Sequence, residues 1–127
     1  MPVEQTSPVL KIAYFQLNNL IQNRIPFCFV QMGVQINGWY SGVQLLHIQN
    51  YSLQLPQDTN AAECLSATQN FLQERQWTLH GAIVTLCHNE KISAQLAQDL
   101  EKSGYTNVYC IQNGLDGLVQ EKTLEES

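Results

Sequence analysis

The sequence predicts an α/β domain in which a mainly parallel sheet is covered by helices on both faces. Short apolar runs alternate along the chain with segments of helical periodicity, an order typical of parallel strands joined by helices. Several runs are apolar at consecutive positions, as expected for strands that are buried on both faces. A chain of 127 residues with 44% hydrophobic residues suits one such domain and leaves no room for two.

The first third of the chain predicts a lead-in, one helix and one strand. Residues 1–10 contain two prolines and small polar residues, and predict a flexible lead-in. Apolar side chains at helical spacing predict a helix over Tyr14–Asn23, and Pro26 ends that element. The continuous apolar run Phe27–Val30 predicts a buried strand.

Glycines then interrupt the regular pattern. Three of them fall in Gln31–Gly42, where Asn37-Gly38 is typical either of a hairpin turn or of an irregular loop. Val43–Ile48 predicts a second buried strand. A polar turn follows Pro56, and one of the residues 58–60 is expected to cap the next helix.

The second half of the chain has the clearer pattern. Ala61–Gln76 predicts a helix, because its apolar residues share one face and few are β-branched. Ala82–Leu86 is the strongest strand signal in the chain. Helical periodicity resumes at Ile92–Ser93 and stops at Gly104, and Val108–Ile111 predicts the last strand.

Charge is scarce, and this limits the partners that the chain is expected to have. Charged residues make up 13% of the sequence, and 16 Gln and 10 Asn take much of the remaining polar share. The six Lys and Arg are scattered and the net charge is −5, so neither nucleic acid nor an anionic membrane is an expected partner. No apolar run reaches the ~18 residues of a transmembrane helix, and the first residues do not resemble a signal peptide. A cytoplasmic location is therefore expected.

The four cysteines occur singly and predict neither a metal site nor a disulfide framework. In a reducing compartment they are expected to remain thiols. Cys28 and Cys110 fall within apolar strands and Cys64 on a helix face, where core packing is the expected role. No cofactor is predicted.

Cys87 has a different position, because it closes a buried strand and precedes a helix. In parallel α/β folds, ligands bind beyond the carboxyl ends of the strands. The first amides of a helix have no partner within the helix and carry a partial positive charge, which favours a thiolate and holds anionic groups bound to the sulfur. The other interpretation is that Cys87 is a small buried apolar residue.

The stretch Gly81–Leu118 resembles the second half of the rhodanese-like, single-domain sulfurtransferases. In that family a hydrophobic strand ends in the active cysteine, a six-residue loop curls around the sulfur, and a helix follows. Here Ala82–Leu86 is similar to the strand and Cys87–Ile92 to the loop, with Ser93 at the start of the helix. Asn113-Gly114 takes the place of the family's Gly-Gly turn. The order of elements over residues 12–118 also fits.

The resemblance implies a rhodanese-like domain over residues 11–120. The composition of residues 121–127 predicts an acidic tail. It implies that Cys87 carries sulfane sulfur as a persulfide, received from a small sulfur donor or exchanged with a protein persulfide donor or acceptor. The main-chain amides of residues 88–92 would stabilise the anion. The substrate-binding residues implied in this way are His88, Asn89, Glu90, Lys91 and Ile92.

Two departures from the family's pattern leave the activity open. Many active members have Arg directly after the cysteine and Gly three positions after it, where this chain has His88 and Glu90. Lys91 is then the permanent cation of the loop, and a carboxylate at position 90 would repel thiosulfate. The alternative is a catalytically weak or inactive rhodanese-like module with a binding or regulatory role. A phosphatase of related architecture is disfavoured, since such enzymes need Arg where this chain has Ser93.

Overall fold

The computed structural model describes residues 10–23, 25–33, 51–56, 60–88, 90–117 and 120. Within these ranges the strands are β1 (Leu10–Ile12), β2 (Phe27–Met32), β3 (Ser52–Leu55), β4 (Ala82–Leu86) and β5 (Val108–Ile111). The helices are α1 (Tyr14–Gln22), α2 (Ala61–Glu74) and α3 (Lys91–Lys102). Residues 114–117 add a short helical turn.

The five strands form one parallel sheet in the order β1-β5-β4-β2-β3. Every residue of the two central strands β2 and β4 is buried, which explains why their sequences are apolar at consecutive positions. Val84 of β4 lies opposite Phe29 of β2 on one side and Tyr109 of β5 on the other. Because all the strands run the same way, the residue that follows β4 lies at the carboxyl edge of the sheet, between β2 and β5.

Helices cover both faces of this sheet. One face packs against α1 through Leu17 and Ile21, which contact Phe27, Phe29 and Val84 in one core cluster. The other face packs against α2 and α3, whose side chains share the second cluster with all four cysteines. The predicted α/β architecture with a parallel sheet is confirmed. None of the described helices is long and apolar enough to cross a lipid bilayer.

Short-range hydrogen bonds cap the first two helices. Asn60, one of the predicted candidates, caps α2: its side-chain oxygen accepts from the Glu63 N–H at 2.9 Å, and its amide nitrogen donates to Glu63 Oε1 at 2.7 Å. At α1 the capping residue is Ala13, which has no polar side chain. The Gln16 side chain there accepts from the Ala13 N–H at 2.8 Å.

Most predicted elements agree with the structure to within a few residues. The bounds of β4 and β5 are as predicted. The helices α1 and α2 end one and two residues earlier than predicted. β2 is longer than predicted, because it includes Gln31 and Met32 from the stretch predicted to be irregular. Both side chains are buried in the sheet.

Two edge strands were not predicted. β1 begins inside the expected lead-in, and β3 lies at residues for which no strand was predicted. Each lies at one end of the sheet that the described residues form, and its sequence has little apolar pattern. The predicted strand Val43–Ile48 and the hairpin or loop at Asn37-Gly38 lie outside the described residues.

Candidate functional site

Cys87 lies at the carboxyl end of β4, directly in front of the first turn of α3. Its side chain is buried, with 2% of the residue exposed. The Ser93 backbone N–H donates a hydrogen bond to the Cys87 sulfur at 3.3 Å. Ser93 is the third residue of α3, so this amide is one of those that have no partner within the helix. The structure therefore places the sulfur at the positive end of a helix.

The helix begins earlier than the sequence suggests. α3 starts at Lys91, with Glu90 as its capping residue, whereas the prediction placed Ser93 at the start and Cys87–Ile92 in a loop. Lys91 and Ile92 thus belong to the first helical turn. The amide that contacts the sulfur is that of Ser93, one position beyond the predicted range 88–92.

Ser93 also has side-chain contacts that the sequence did not predict. The Cys87 thiol lies 3.4 Å from the Ser93 hydroxyl oxygen, and that hydroxyl donates to the Glu90 carbonyl oxygen at 3.1 Å. The Ser93 carbonyl oxygen accepts from the buried Thr85 hydroxyl at 2.9 Å. Because a hydroxyl has one proton, Ser93 accepts from a thiol while bonded to Glu90 and can donate to a thiolate only after turning away from Glu90.

The Glu90 side chain is held by contacts with two distant segments of the chain. Its carboxylate lies 2.6 Å from Lys11 Nζ on β1, and it accepts from the Asn113 N–H at 2.7 Å. Its backbone has a φ of 81°, a left-handed angle that strains a residue with a side chain and that glycine adopts easily. The position at which the family resemblance implies glycine therefore does have positive φ.

Glu90 and Lys11 each stabilise the charged form of the other. Burial raises the pKa of the Glu90 carboxyl, but the hydrogen bonds from Lys11 and Asn113 and the Lys11 charge together lower that pKa below its ordinary value. The hydrogen bond and charge of Glu90 raise the pKa of Lys11. This pair neutralises the carboxylate that was expected to repel thiosulfate.

The pair predicts a pH dependence of stability. An acid whose folded-state pKa is lowered stabilises the fold above its unfolded pKa, and this contribution is lost as the pH falls through the folded pKa. We expect Glu90→Gln to be less stable than wild type in urea unfolding at pH 7, with the difference shrinking toward zero as the pH falls below 4. Glu101→Gln is the control, and its effect on stability at pH 7 should have the opposite sign. Burial raises the pKa of Glu101, so the charged carboxylate opposes folding and its removal should not destabilise the protein. A Glu90→Gln deficit that is the same at pH 3 and pH 7 would contradict the ion pair.

A second turn closes over the backbone of Cys87. Asn113 and Gly114 have φ of 61° and 62°, which matches the predicted turn at these residues. The Leu115 N–H donates to the Cys87 carbonyl oxygen at 2.8 Å, and the Asp116 N–H donates to the His88 carbonyl oxygen at 3.3 Å. The chain after β5 thus fixes the first two residues of the loop.

The predicted substrate-binding residues are dispersed around the sulfur. His88 is exposed, Lys91 is exposed on the first turn of α3, and Ile92 packs against the core. Glu90 faces Lys11 and Asn113, and Asn89 lies outside the described residues. Sequence analysis did not identify Ser93 as a contact of the Cys87 sulfur. Its position in the first turn of the helix is the signal that could have identified it. Sequence analysis also missed Lys11, which no local pattern connects with the loop.

Cys28, Cys64 and Cys110 are buried thiols of the core. Burial raises the pKa of Cys28 to about 12 and that of Cys110 to about 11, and it also raises the pKa of Cys64. These thiols are therefore protonated at neutral pH, as expected for core residues. Among the residues that the structure describes, no group of three His, Cys, Asp or Glu side chains could hold a metal ion.

Comparison with known proteins assigns no family to this arrangement. No protein-family model matches the chain, and no curated protein matches it either.

Proposed function

We propose that this chain is a rhodanese-like sulfurtransferase that carries sulfane sulfur as a persulfide on Cys87. The observation that carries the proposal is the hydrogen bond from the Ser93 N–H to the Cys87 sulfur at the start of α3. An unpartnered helix amide favours a negative charge on the atom that it contacts. The type of reaction, sulfur transfer, is inferred from the resemblance of the strand, loop and turn around Cys87 to the rhodanese-like family.

The proposed reaction has two half-steps. The Cys87 thiolate attacks the outer sulfur of a donor such as thiosulfate, so that a new S–S bond forms and sulfite leaves with the electron pair of the broken S–S bond. An acceptor thiolate then attacks the outer sulfur of the persulfide and takes it as a new persulfide. The Cys87 thiolate is released, and no external oxidant or reductant is needed.

The residues around the sulfur have distinct roles in this scheme. The Ser93 N–H stabilises the anion of Cys87 in both half-steps, and the Ser93 hydroxyl can turn from Glu90 toward the sulfur when the proton leaves. The Thr85 hydroxyl donates to the Ser93 carbonyl oxygen and so ties the first turn of α3 to β4. The low exposure of Cys87 favours donors whose terminal sulfur is narrow enough to enter the loop.

The proposal predicts a sulfur adduct on Cys87. After incubation with thiosulfate or polysulfide and removal of the donor, the intact protein should be heavier by about 32 Da, the mass of one sulfur atom. Dithiothreitol should remove the adduct, whereas a sulfinic acid of the same nominal mass would persist. The Cys87→Ser variant should take up no sulfur, and the matched control Cys64→Ser should load as wild type does. Absence of any adduct, or loading that persists in Cys87→Ser, would sink the proposal.

A binding or regulatory module is the second candidate. It is favoured by the burial of Cys87 and by Glu90, whose contacts with Lys11 and Asn113 fix a side chain where the family's pattern has glycine. Sulfur transfer no faster than with free cysteine, together with a stable protein partner in pull-downs, would favour the module. Turnover that depends on Cys87 would exclude it.

A further inference from the structure

Glu90 has a strained backbone at the point where α3 begins. Its φ of 81° and ψ of −21° lie in the left-handed region, which a residue with a Cβ adopts only where its surroundings hold it there. Its carbonyl oxygen accepts from the Ala94 N–H at 2.8 Å and from the Ser93 hydroxyl at 3.1 Å. The direction of this carbonyl is therefore coupled to the first turn of α3, which includes the Ser93 N–H that contacts the Cys87 sulfur.

The side chain of Glu90 is bound outside the helix that it precedes. It makes no capping hydrogen bond to α3. One carboxylate oxygen lies 2.6 Å from Lys11 Nζ, and the other accepts from the Asn113 N–H at 2.7 Å. Because both oxygens are held, the Glu90 backbone cannot turn to an ordinary helical angle without loss of these contacts. The bound carboxylate thus holds the left-handed backbone in place.

Lys11 supplies the charge in this arrangement, and its own backbone is fixed by the sheet. It lies on β1 opposite Cys110 of β5, and the neighbouring Ile12 carbonyl oxygen accepts from the Gln112 N–H at 2.8 Å. Its ammonium group therefore reaches Glu90 from the strand beyond β5. The Lys11 side chain is 48% exposed, so its replacement leaves no cavity in the core.

We propose that Lys11 is a positioning residue for the Cys87 thiolate. It acts through Glu90: the ion pair holds the left-handed backbone, and this backbone holds the first turn of α3 with the Ser93 N–H directed at the sulfur. The role rests on the proposed function, because it concerns the thiolate that attacks the sulfur donor. Without Lys11, Glu90 relaxes toward an ordinary helical angle and the Ser93 N–H stabilises the thiolate less.

The test follows the ultraviolet absorbance of the thiolate and needs no sulfur donor. The absorbance of each protein minus that of the same protein carrying Cys87→Ser gives the pH midpoint of thiolate formation. We expect Lys11→Met to raise this midpoint by about 0.5 pH unit, which is about a threefold smaller thiolate-to-thiol ratio. Lys11→Arg keeps the charge and should show less than half of this shift. Lys102→Met removes a charge in the last turn of α3 and is the matched control, with an unchanged midpoint.

Two double variants separate positioning from a direct effect of charge. Lys11→Met combined with Glu90→Gln and Lys11→Met combined with Glu90→Gly have the same net charge, but only glycine adopts the left-handed angle without strain. The first should keep a raised midpoint, and the second should return to the wild-type value. Equal midpoints in the two double variants, or an unchanged midpoint in Lys11→Met, would overturn the proposal. Lys11→Gln supplies the comparison if Lys11→Met is poorly folded.

Sulfur loading distinguishes a failure of this inference from a failure of the proposed function. If the wild-type protein takes up no sulfur, the proposed function fails, and the midpoints still show whether Lys11 orients the Ser93 N–H. If the wild-type protein loads sulfur on Cys87 but the midpoint is the same in Lys11→Met, the positioning role of Lys11 alone is wrong.

Discussion

Replacing Gly114 by alanine is expected to destabilise the protein by about 2–5 kcal/mol and to disturb the Cys87 loop. A Cβ at this position would lie 2.6 Å from the carbonyl carbon of His88 and in still closer contact with the Cys87 carbonyl oxygen. Both neighbours are backbone atoms of the loop and cannot turn aside as a flexible side chain would. The φ of 62° adds the usual cost of a left-handed angle.

Gly104 provides the matched control for this experiment. It also has a positive φ, of 109°, but the nearest atom to its Cβ would be a Leu79 methyl group 3.9 Å away. Gly104→Ala should therefore cost only the backbone strain, about 1–2 kcal/mol. Urea unfolding of the two variants measures the difference, and mass spectrometry of the sulfur adduct shows whether Gly114→Ala also alters the loop. Equal losses of stability in the two variants would mean that the close approach of the backbone of Cys87 and His88 adds nothing to the cost of Gly114→Ala.

Truncating Phe29 to alanine should cost about 3–5 kcal/mol, a large part of the 5–15 kcal/mol that stabilises a typical domain. Phe29 has no exposed surface and lies in the inner strand β2, on the face that packs against α1. Its ring makes an edge-to-face contact with Phe27, with centroids 5.7 Å apart. The substitution removes this contact and leaves a cavity that the rigid sheet cannot close.

Phe15 allows the same chemical change outside the core. It lies on α1, the helix that covers Phe29, but it is 67% exposed. Phe15→Ala should change stability by no more than about 0.5 kcal/mol. Both variants are compared with wild type by urea unfolding at pH 7. A small loss for Phe29→Ala would contradict the packing of α1 on this face of the sheet.

The fold was predictable where buried elements have a recognisable apolar pattern in the sequence. Ala82–Leu86 and Val108–Ile111 are apolar runs because both strands lie within the sheet, and their bounds are confirmed. β1 has three residues, two of them exposed, and it is recognised as a strand only through its pairing with β5 about 100 residues later. Local patterns contain no information about such a partner.

The site was predictable to a similar degree. The position of Cys87 follows from the strand that precedes it and the helix that follows it. The orientation of Glu90 does not, because it is set by Lys11 on β1 and Asn113 after β5. The contact of Ser93 with the sulfur depends on where α3 begins, and helix starts are uncertain by a few residues when only the sequence is known.

The long-range contacts of the Cys87 loop also determine when it can form during synthesis. Lys11 leaves the ribosome about 100 residues before Asn113 and Gly114. β1 pairs with β5, so in the sheet that the described residues form β1 has no neighbour until β5 has been synthesised. A nascent chain that ends before β5 would expose the edge of β4 that pairs with β5 in the folded protein. Unpaired strand edges of this kind promote aggregation. The sulfur loop is therefore completed only after β5 and the turn at Asn113-Gly114 have been synthesised and have met Lys11 of β1 beside it.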